Sequence, residues 1–168
     1  LRDILSWYGE FNSVRSSFYR KKKVWGKRLP ASTGIGAGSL GGGALAAGAW
    51  AIRPKVPGLV IREVVSPLQC PATDYGSSFS RAVEVVTPDA RRLFVSGTAG
   101  VDKRGRSLRA GNMEGQINAA MRGVGAILGS CGMSWSDVSR ALLYRKRPGD
   151  RRSFLEWSLR HGQHPFLH

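Results

Sequence analysis

Residues 112–131 carry a helical stripe too rich in glycine to stand alone. Met113, Ile117, Met121, Val124, Leu128 and Cys131 recur there at three- and four-residue steps and share one apolar face. Glycines 115, 123, 125 and 129 interrupt the same segment, and each costs about 1 kcal/mol relative to alanine in a helix interior. A helix of this kind persists only when its apolar face is packed on another layer, where small residues permit close approach to a sheet. Met113 and Met121 then read as core filler, and Cys131 as a small buried hydrophobe. The rest of the chain must supply the strands.

Four segments have that character. Residues 59–65 are rich in β-branched side chains, 79–86 alternate with period two, and 92–96 and 139–145 are short and apolar. Thr87-Pro88-Asp89 turns the chain between two of them, while 66–78 and 97–111 are loops punctuated by Pro and Gly. Gly132 closes the long helix, Ser134-Trp135-Ser136-Asp137 forms a short capped turn, and Asp150 caps a last helix containing Phe154, Leu155, Trp157 and Leu159. Three strands, a helix, a strand and a helix predict an α+β (α/β) domain with its helices on one face of the sheet.

Upstream the pattern weakens. Residues 1–28 mix aromatic, apolar and basic side chains in no single period. Residues 30–48 are small and nearly uncharged, and 44–52 read as a strand leading back into a sheet. Gly36-Ala37-Gly38-Ser39-Leu40-Gly41 has the letters of a dinucleotide fingerprint, but Lys27-Arg28-Leu29-Pro30 before it is no strand, so no nucleotide fold is expected. Pro54 and Pro57 bracket a linker, which divides the chain into residues 1–57 and a domain at 58–168.

The net charge of +15 narrows the partners, with Lys and Arg concentrated at 20–23, 103–109 and 145–152. An anionic partner is implied, whether nucleic acid, a membrane surface or a small polyanionic substrate, unless the basic faces are simply solvated. Aromatic residues are not interleaved with these clusters as a single-strand stacking platform requires. The absence of a long apolar run and of a leader-like start reads as a cytoplasmic protein with no membrane partner. Cys70 and Cys131 have no metal-ligand spacing, and His161, His164 and His168 crowd a polar tail, so neither a metal nor another cofactor is expected.

Three stretches taken together carry a resemblance: Leu93-Phe-Val-Ser-Gly-Thr-Ala99, Gln116 near the start of the amphipathic helix, and Gly132-Met-Ser-Trp-Ser-Asp-Val138. They resemble the RidA (YjgF) superfamily in combination rather than singly. Pro30-Ala-Ser-Thr-Gly-Ile-Gly36, Ser66-Pro-Leu-Gln-Cys-Pro-Ala72 and Tyr75-Gly-Ser-Ser-Phe-Ser-Arg-Ala82 are similar instead to the chorismatase subfamily. The resemblance implies a RidA-like (chorismate-mutase-like) mixed sheet and trimers with sites between subunits. Residues 1–57 would be the tail of an N-terminal domain of a larger parent. It further implies chorismate as substrate, with pyruvate and a dihydrodiol or hydroxybenzoate as products.

The residues suit such a substrate on chemical grounds. Chorismate carries two carboxylates, which the planar fork of arginine recognises. Arg81 is the first candidate and Arg15 the second; Tyr75 offers a hydroxyl or a ring wall, and Ser96, Thr98 and Ala99 a strand end with hydroxyls and backbone N–H groups. Arg81 reads equally as a surface strand charge, and Ser96 and Thr98 as a plain turn. Release of pyruvate also needs a general acid to protonate the enolpyruvyl methylene. The family places a glutamate on a last strand, whereas this chain ends Gln163-His-Pro-Phe-Leu-His168. The catalytic residue is therefore unassigned, Glu84 and Glu114 do not match the family position, and the chain reads as truncated and inactive by itself. An enamine or imine deaminase, a weak RNA- or DNA-binding protein and an inactive fragment are the competing readings.

Overall fold

The computed structural model describes residues 2–36, 42, 45–55, 57–108 and 111–162. Helix α1 (Arg2–Lys21) is followed by strands β1 (Val60–Val64), β2 (Ala82–Val86) and β3 (Arg91–Val95), then by helices α2 (Met113–Ser130) and α3 (Asp150–Arg160). The strands form one antiparallel meander in the order β1-β2-β3, with Val64 opposite Ala82 and Ala82 opposite Val95. The architecture is α+β. Among the described residues a single parallel bridge, Ala31 to Ser80, joins the Pro30–Gly36 stretch to this region. The expected mixed sheet is thus antiparallel throughout its three strands.

The core lies between the sheet and the C-terminal half of α2. Val64, Ala82, Ile127 and Cys131 are buried together, with Leu93, Val95 and Met133 packed against them. The stripe read from the sequence is covered unevenly: Leu128 is buried, whereas Met113 is 39% exposed. Length explains this. Five-residue strands reach about 17 Å, while the 18 residues of α2 span about 27 Å. Helix α3 covers part of the remainder through Phe154 and Trp157, with Trp157 Nε1 donating to Asn118 Oδ1 at 2.5 Å and Arg160 paired to Glu114 at 3.0 Å.

Local signals set the element ends. Asn112 Oδ1 accepts from Gly115 N at 2.8 Å and starts α2. At the other end Gly132 adopts φ +66°, Gly132 N donates to Gly129 O and Met133 N to Leu128 O, the two bonds of a Schellman turn. A Cβ at Gly132 or at Gly129 would meet nothing within 4 Å, so the backbone alone decides the effect of a side chain. Gly132→Ala is expected to cost about 1 kcal/mol, and Gly129→Ala in the helix to add up to about 1 kcal/mol. Opposite shifts of the urea midpoint at constant slope check the pair. The Ser134 turn carries its capping box, with Asp137 Oδ2 accepting from Ser134 N at 2.7 Å.

Several expectations change. Residues 1–28 contain the 20-residue helix α1, whose mixed aromatic and basic surface hides its period. Residues 45–52 form no strand, and Ala44 lies outside the described residues. Residues 139–145 form no strand and pair with none among the described residues. Asp150 sits inside the first turn of α3, behind Gly149, and its Oδ2 accepts from Arg147 N at 2.9 Å. Residues 37–41 of the glycine motif, His164 and His168 lie outside the described residues. No described helix is long and apolar enough to cross a membrane.

Candidate functional site

A cleft of about 1460 Å³ opens between α1, the Pro30–Gly36 stretch, β3 with its following turn, and residues 137–144. Arg15, Tyr75, Ser96, Thr98 and Ala99 all line it. The structure therefore brings together five of the six residues singled out by sequence. Arg81, the sixth, stands behind Tyr75 rather than in the cleft wall.

Arg81 immediately precedes β2 and is 5% exposed. Its Nε donates to Cys70 O at 2.9 Å, and its guanidinium lies over the rings of Tyr75 at 5.3 Å and Phe79 at 5.6 Å. Nη2 is buried with no hydrogen-bond partner among the described residues. Partial burial raises the Tyr75 phenol above its ordinary value, while the charge and hydrogen bond of Arg81 pull the other way. The hydroxyl accordingly stays protonated at neutral pH and can donate. Gly105, at φ +74°, lets the backbone pass beside this ring, where a Cβ would come within 3.2 Å of Tyr75 Cδ1.

Arg15 reaches the cleft from α1. Its Nη2 donates to Asn12 Oδ1 at 2.6 Å and Nη1 to Ser32 Oγ at 3.3 Å, and the guanidinium lies 5.0 Å from the Phe11 ring centre. Its Nε is also buried and unpartnered among the described residues. An exposed cation would find water; these two guanidinium groups are oriented by protein contacts yet keep an N–H in reserve.

Ser96 and Thr98 serve the turn itself. Ser96 Oγ donates to Ser80 O at 2.5 Å and accepts from Ser32 N at 2.9 Å, so both its roles are filled. Thr98 Oγ1 donates to Ser96 O, and Ala99 O accepts from Gln69 Nε2 at 2.8 Å. Gly97 N donates to Thr33 Oγ1 at 2.9 Å, and a Cβ at Gly97 would lie 2.9 Å from Thr33 Cγ2. These contacts hold the Pro30–Gly36 stretch against the β3 end and shape the cleft floor.

Sequence reading passed over Arg20, Arg91, Arg92 and Arg140, which also line the cleft. The Arg91-Arg92 pair at the head of a strand was the available signal. The acid among the lining residues is Asp137; hydrogen bonds from the Ser134 backbone and hydroxyl hold its carboxyl below the usual range, so it is ionised and committed to its turn. Glu84 is elsewhere, fully buried on the sheet, where both Arg62 and Arg91 hydrogen-bond it and Arg91 also donates to Cys131 O at 2.8 Å. Glu114 is half-exposed on α2 and pairs with Arg160. No group of His, Cys, Asp and Glu among the described residues could hold a metal ion.

No family model matches the chain, and no curated protein matches it. A crystal structure of a chorismatase aligns with 60% of this chain and 35% of its own length, at 22% identity and a TM-score of 0.47. The alignment thus spans about a third of that protein. Likeness of this degree assigns neither a family nor an activity.

Proposed function

We propose that the cleft binds a small substrate bearing carboxylates, of the chorismate class, in the manner of the chorismatases that the sequence stretches resemble. The carrying observation is a pair of oriented guanidinium groups, Arg15 in the cleft wall and Arg81 behind Tyr75, each with a buried N–H unpartnered among the described residues. A planar carboxylate accepts two parallel hydrogen bonds from such a fork. Further arginines on the walls draw the anion in.

Pyruvate release would begin with protonation of the enolpyruvyl methylene, followed by water attack or elimination. Among the described cleft residues, Tyr75 supplies a neutral hydroxyl and Asp137 an ionised, occupied carboxylate. A carboxylic acid kept neutral by a dry site is what the chemistry prefers, and these residues do not provide one. The expected result is binding of chorismate by this chain with little or no pyruvate formed. Calorimetric titration with chorismate, alongside a lactate-dehydrogenase-coupled pyruvate assay, tests it. Absence of binding at millimolar chorismate would sink the reading, and rapid pyruvate release would place the acid within this chain. Release of ammonia from an enamine or imine substrate would favour the deaminase alternative.

The basic surface gives a separate expectation for nucleic acid. Binding to duplex DNA should be weak, indifferent to sequence and lost at physiological salt, with a logarithmic salt slope of about −0.9 per phosphate contacted. Anisotropy titrations at two salt concentrations suffice. Tight, sequence-selective binding at physiological salt would instead mark a dedicated nucleic-acid site.

A further inference from the structure

Residues 100–108, the loop beyond the cleft, fold back on themselves. Leu108 N donates to Gly100 O at 2.7 Å, Asp102 N donates to Arg106 O at 3.0 Å, and Val101 bridges to Ser107. Small residues bring α2 against this loop. A Cβ at Gly100 would lie 3.0 Å from Ala119 Cβ, and one at Gly123 would lie 3.2 Å from Thr98 Cγ2 and 3.6 Å from Gln69 Cδ. Between the loop, α2 and Leu68-Gln69 a second cavity of about 360 Å³ remains, and it shares no lining residue with the cleft. Its size suits a small molecule.

Gln69 lines this cavity and is 5% exposed. Its Nε2 donates to Ala99 O at 2.8 Å and to Val101 O at 3.4 Å, which sets the orientation of the amide. Oε1 is left buried, with no hydrogen-bond partner among the described residues. A buried acceptor of this kind calls for a donor. Lys103, Arg104 and Arg122 line the same cavity, are exposed, and enter no ion pair among the described residues. Asp102, the acid of the lining, is taken up by its own turn: Oδ1 accepts from Arg104 N and Arg106 N, and Oδ2 from Arg106 Nε. Leu68, Val101, Leu108 and Ala119 make the wall apolar.

We infer that this cavity binds a small α-hydroxy carboxylate with an apolar side chain. The carboxylate meets the three cations, the hydroxyl donates to Gln69 Oε1, and the side chain covers the apolar wall. An α-amino acid also brings a donor, but it sets an ammonium among Lys103, Arg104 and Arg122. A plain carboxylate leaves Oε1 unanswered, and inorganic phosphate supplies charge and an O–H without apolar surface. The inference is independent of the chorismate reading, which rests on Arg15, Tyr75 and Arg81.

The probe is α-hydroxyisocaproate, titrated into the isotope-labelled full chain at physiological salt and followed by nuclear magnetic resonance. Saturable millimolar binding is expected, moving the Gln69 side-chain NH₂ and the Gly123 amide. Binding should be at least tenfold weaker for isocaproate, which lacks only the hydroxyl, for α-hydroxyisocaproamide, which lacks the charge, and for leucine. Arg122→Glu, at an exposed position, should weaken the hydroxy acid at least tenfold. No saturation by tens of millimolar, equal affinity for isocaproate or leucine, or indifference to Arg122→Glu would each overturn the inference. So would tighter binding of inorganic phosphate, or shifts at the Gly97 amide of the cleft with the Gln69 side chain unmoved.

Discussion

Glu84→Gln is expected to destabilise the fold by about 3 kcal/mol, the low end of what breaking a buried ion pair costs. Glu84 is fully buried between Arg62 and Arg91, whose side chains are 56% and 46% exposed. Glutamine keeps the shape but removes the charge that both guanidinium groups address, and it can accept at one oxygen only. The half-exposed arginines recover some hydration, which keeps the loss from being larger. Because Arg91 also holds Cys131 O at the end of α2, the damage should spread from sheet to helix. Urea denaturation followed by circular dichroism measures it; a loss below about 1 kcal/mol would show the triad to be a surface ornament.

The same carboxyl makes stability depend on acid. Burial pushes Glu84 up, but the hydrogen bonds from Arg91 and Arg62 and their charges outweigh it and leave the group below its ordinary value. The unfolded chain therefore takes up the proton first. The triad's contribution is complete above the unfolded value of about 4.3, declines as pH falls below it, and is gone once pH passes the depressed folded value. In Glu84→Gln that part of the acid sensitivity should disappear, which comparison of urea midpoints from pH 6 down to pH 3 would reveal.

Arg81→Ala is expected to weaken chorismate binding ten- to a hundredfold, the equivalent of about 1.5–3 kcal/mol for a charge-assisted contact. Arg81 acts from behind Tyr75, so part of the loss comes through that ring. Arg81→Lys should restore little, since a point charge cannot reproduce the fork that holds Cys70 O and spans two rings. A spectroscopic signature separates this role from mere support. Removing Arg81 removes the influences that lower the Tyr75 phenol, so that phenol should titrate at higher pH in Arg81→Ala. Ultraviolet titration against a Tyr75→Phe control reads it. Wild-type affinity in Arg81→Ala would reduce the residue to a strand support.

Elements with local causes were legible before any coordinates. The Asn112–Cys131 limits of α2, the Gly132 cap and the Ser134 capping box depend on residues within one or two turns of each other, and each stands as read, whereas the α2 stripe holds only in part, with Leu128 and Cys131 buried, Met113 exposed and Ile127 added to the core. The three strands β1 to β3 likewise follow from short β-branched or apolar runs bounded by turn and loop residues. The clustering of Arg15, Tyr75, Ser96, Thr98 and Ala99 could be listed from sequence but not shown by it, since residues 15 and 96 are joined through Ser32, distant from Ser96 in the chain.

What the tertiary structure alone decided involves partners distant in sequence. Residues 139–145 have strand composition, yet a strand exists only where another edge accepts its hydrogen bonds, and none of the described segments does. Arg81 looks like any strand charge until Cys70, Tyr75 and Phe79 close around it. Glu84 looks like an exposed strand carboxylate until Arg62 and Arg91 arrive from both neighbouring strands. Periodicity reports which face of an element is apolar; it carries no record of which charge, carbonyl or ring will face it once the chain has folded.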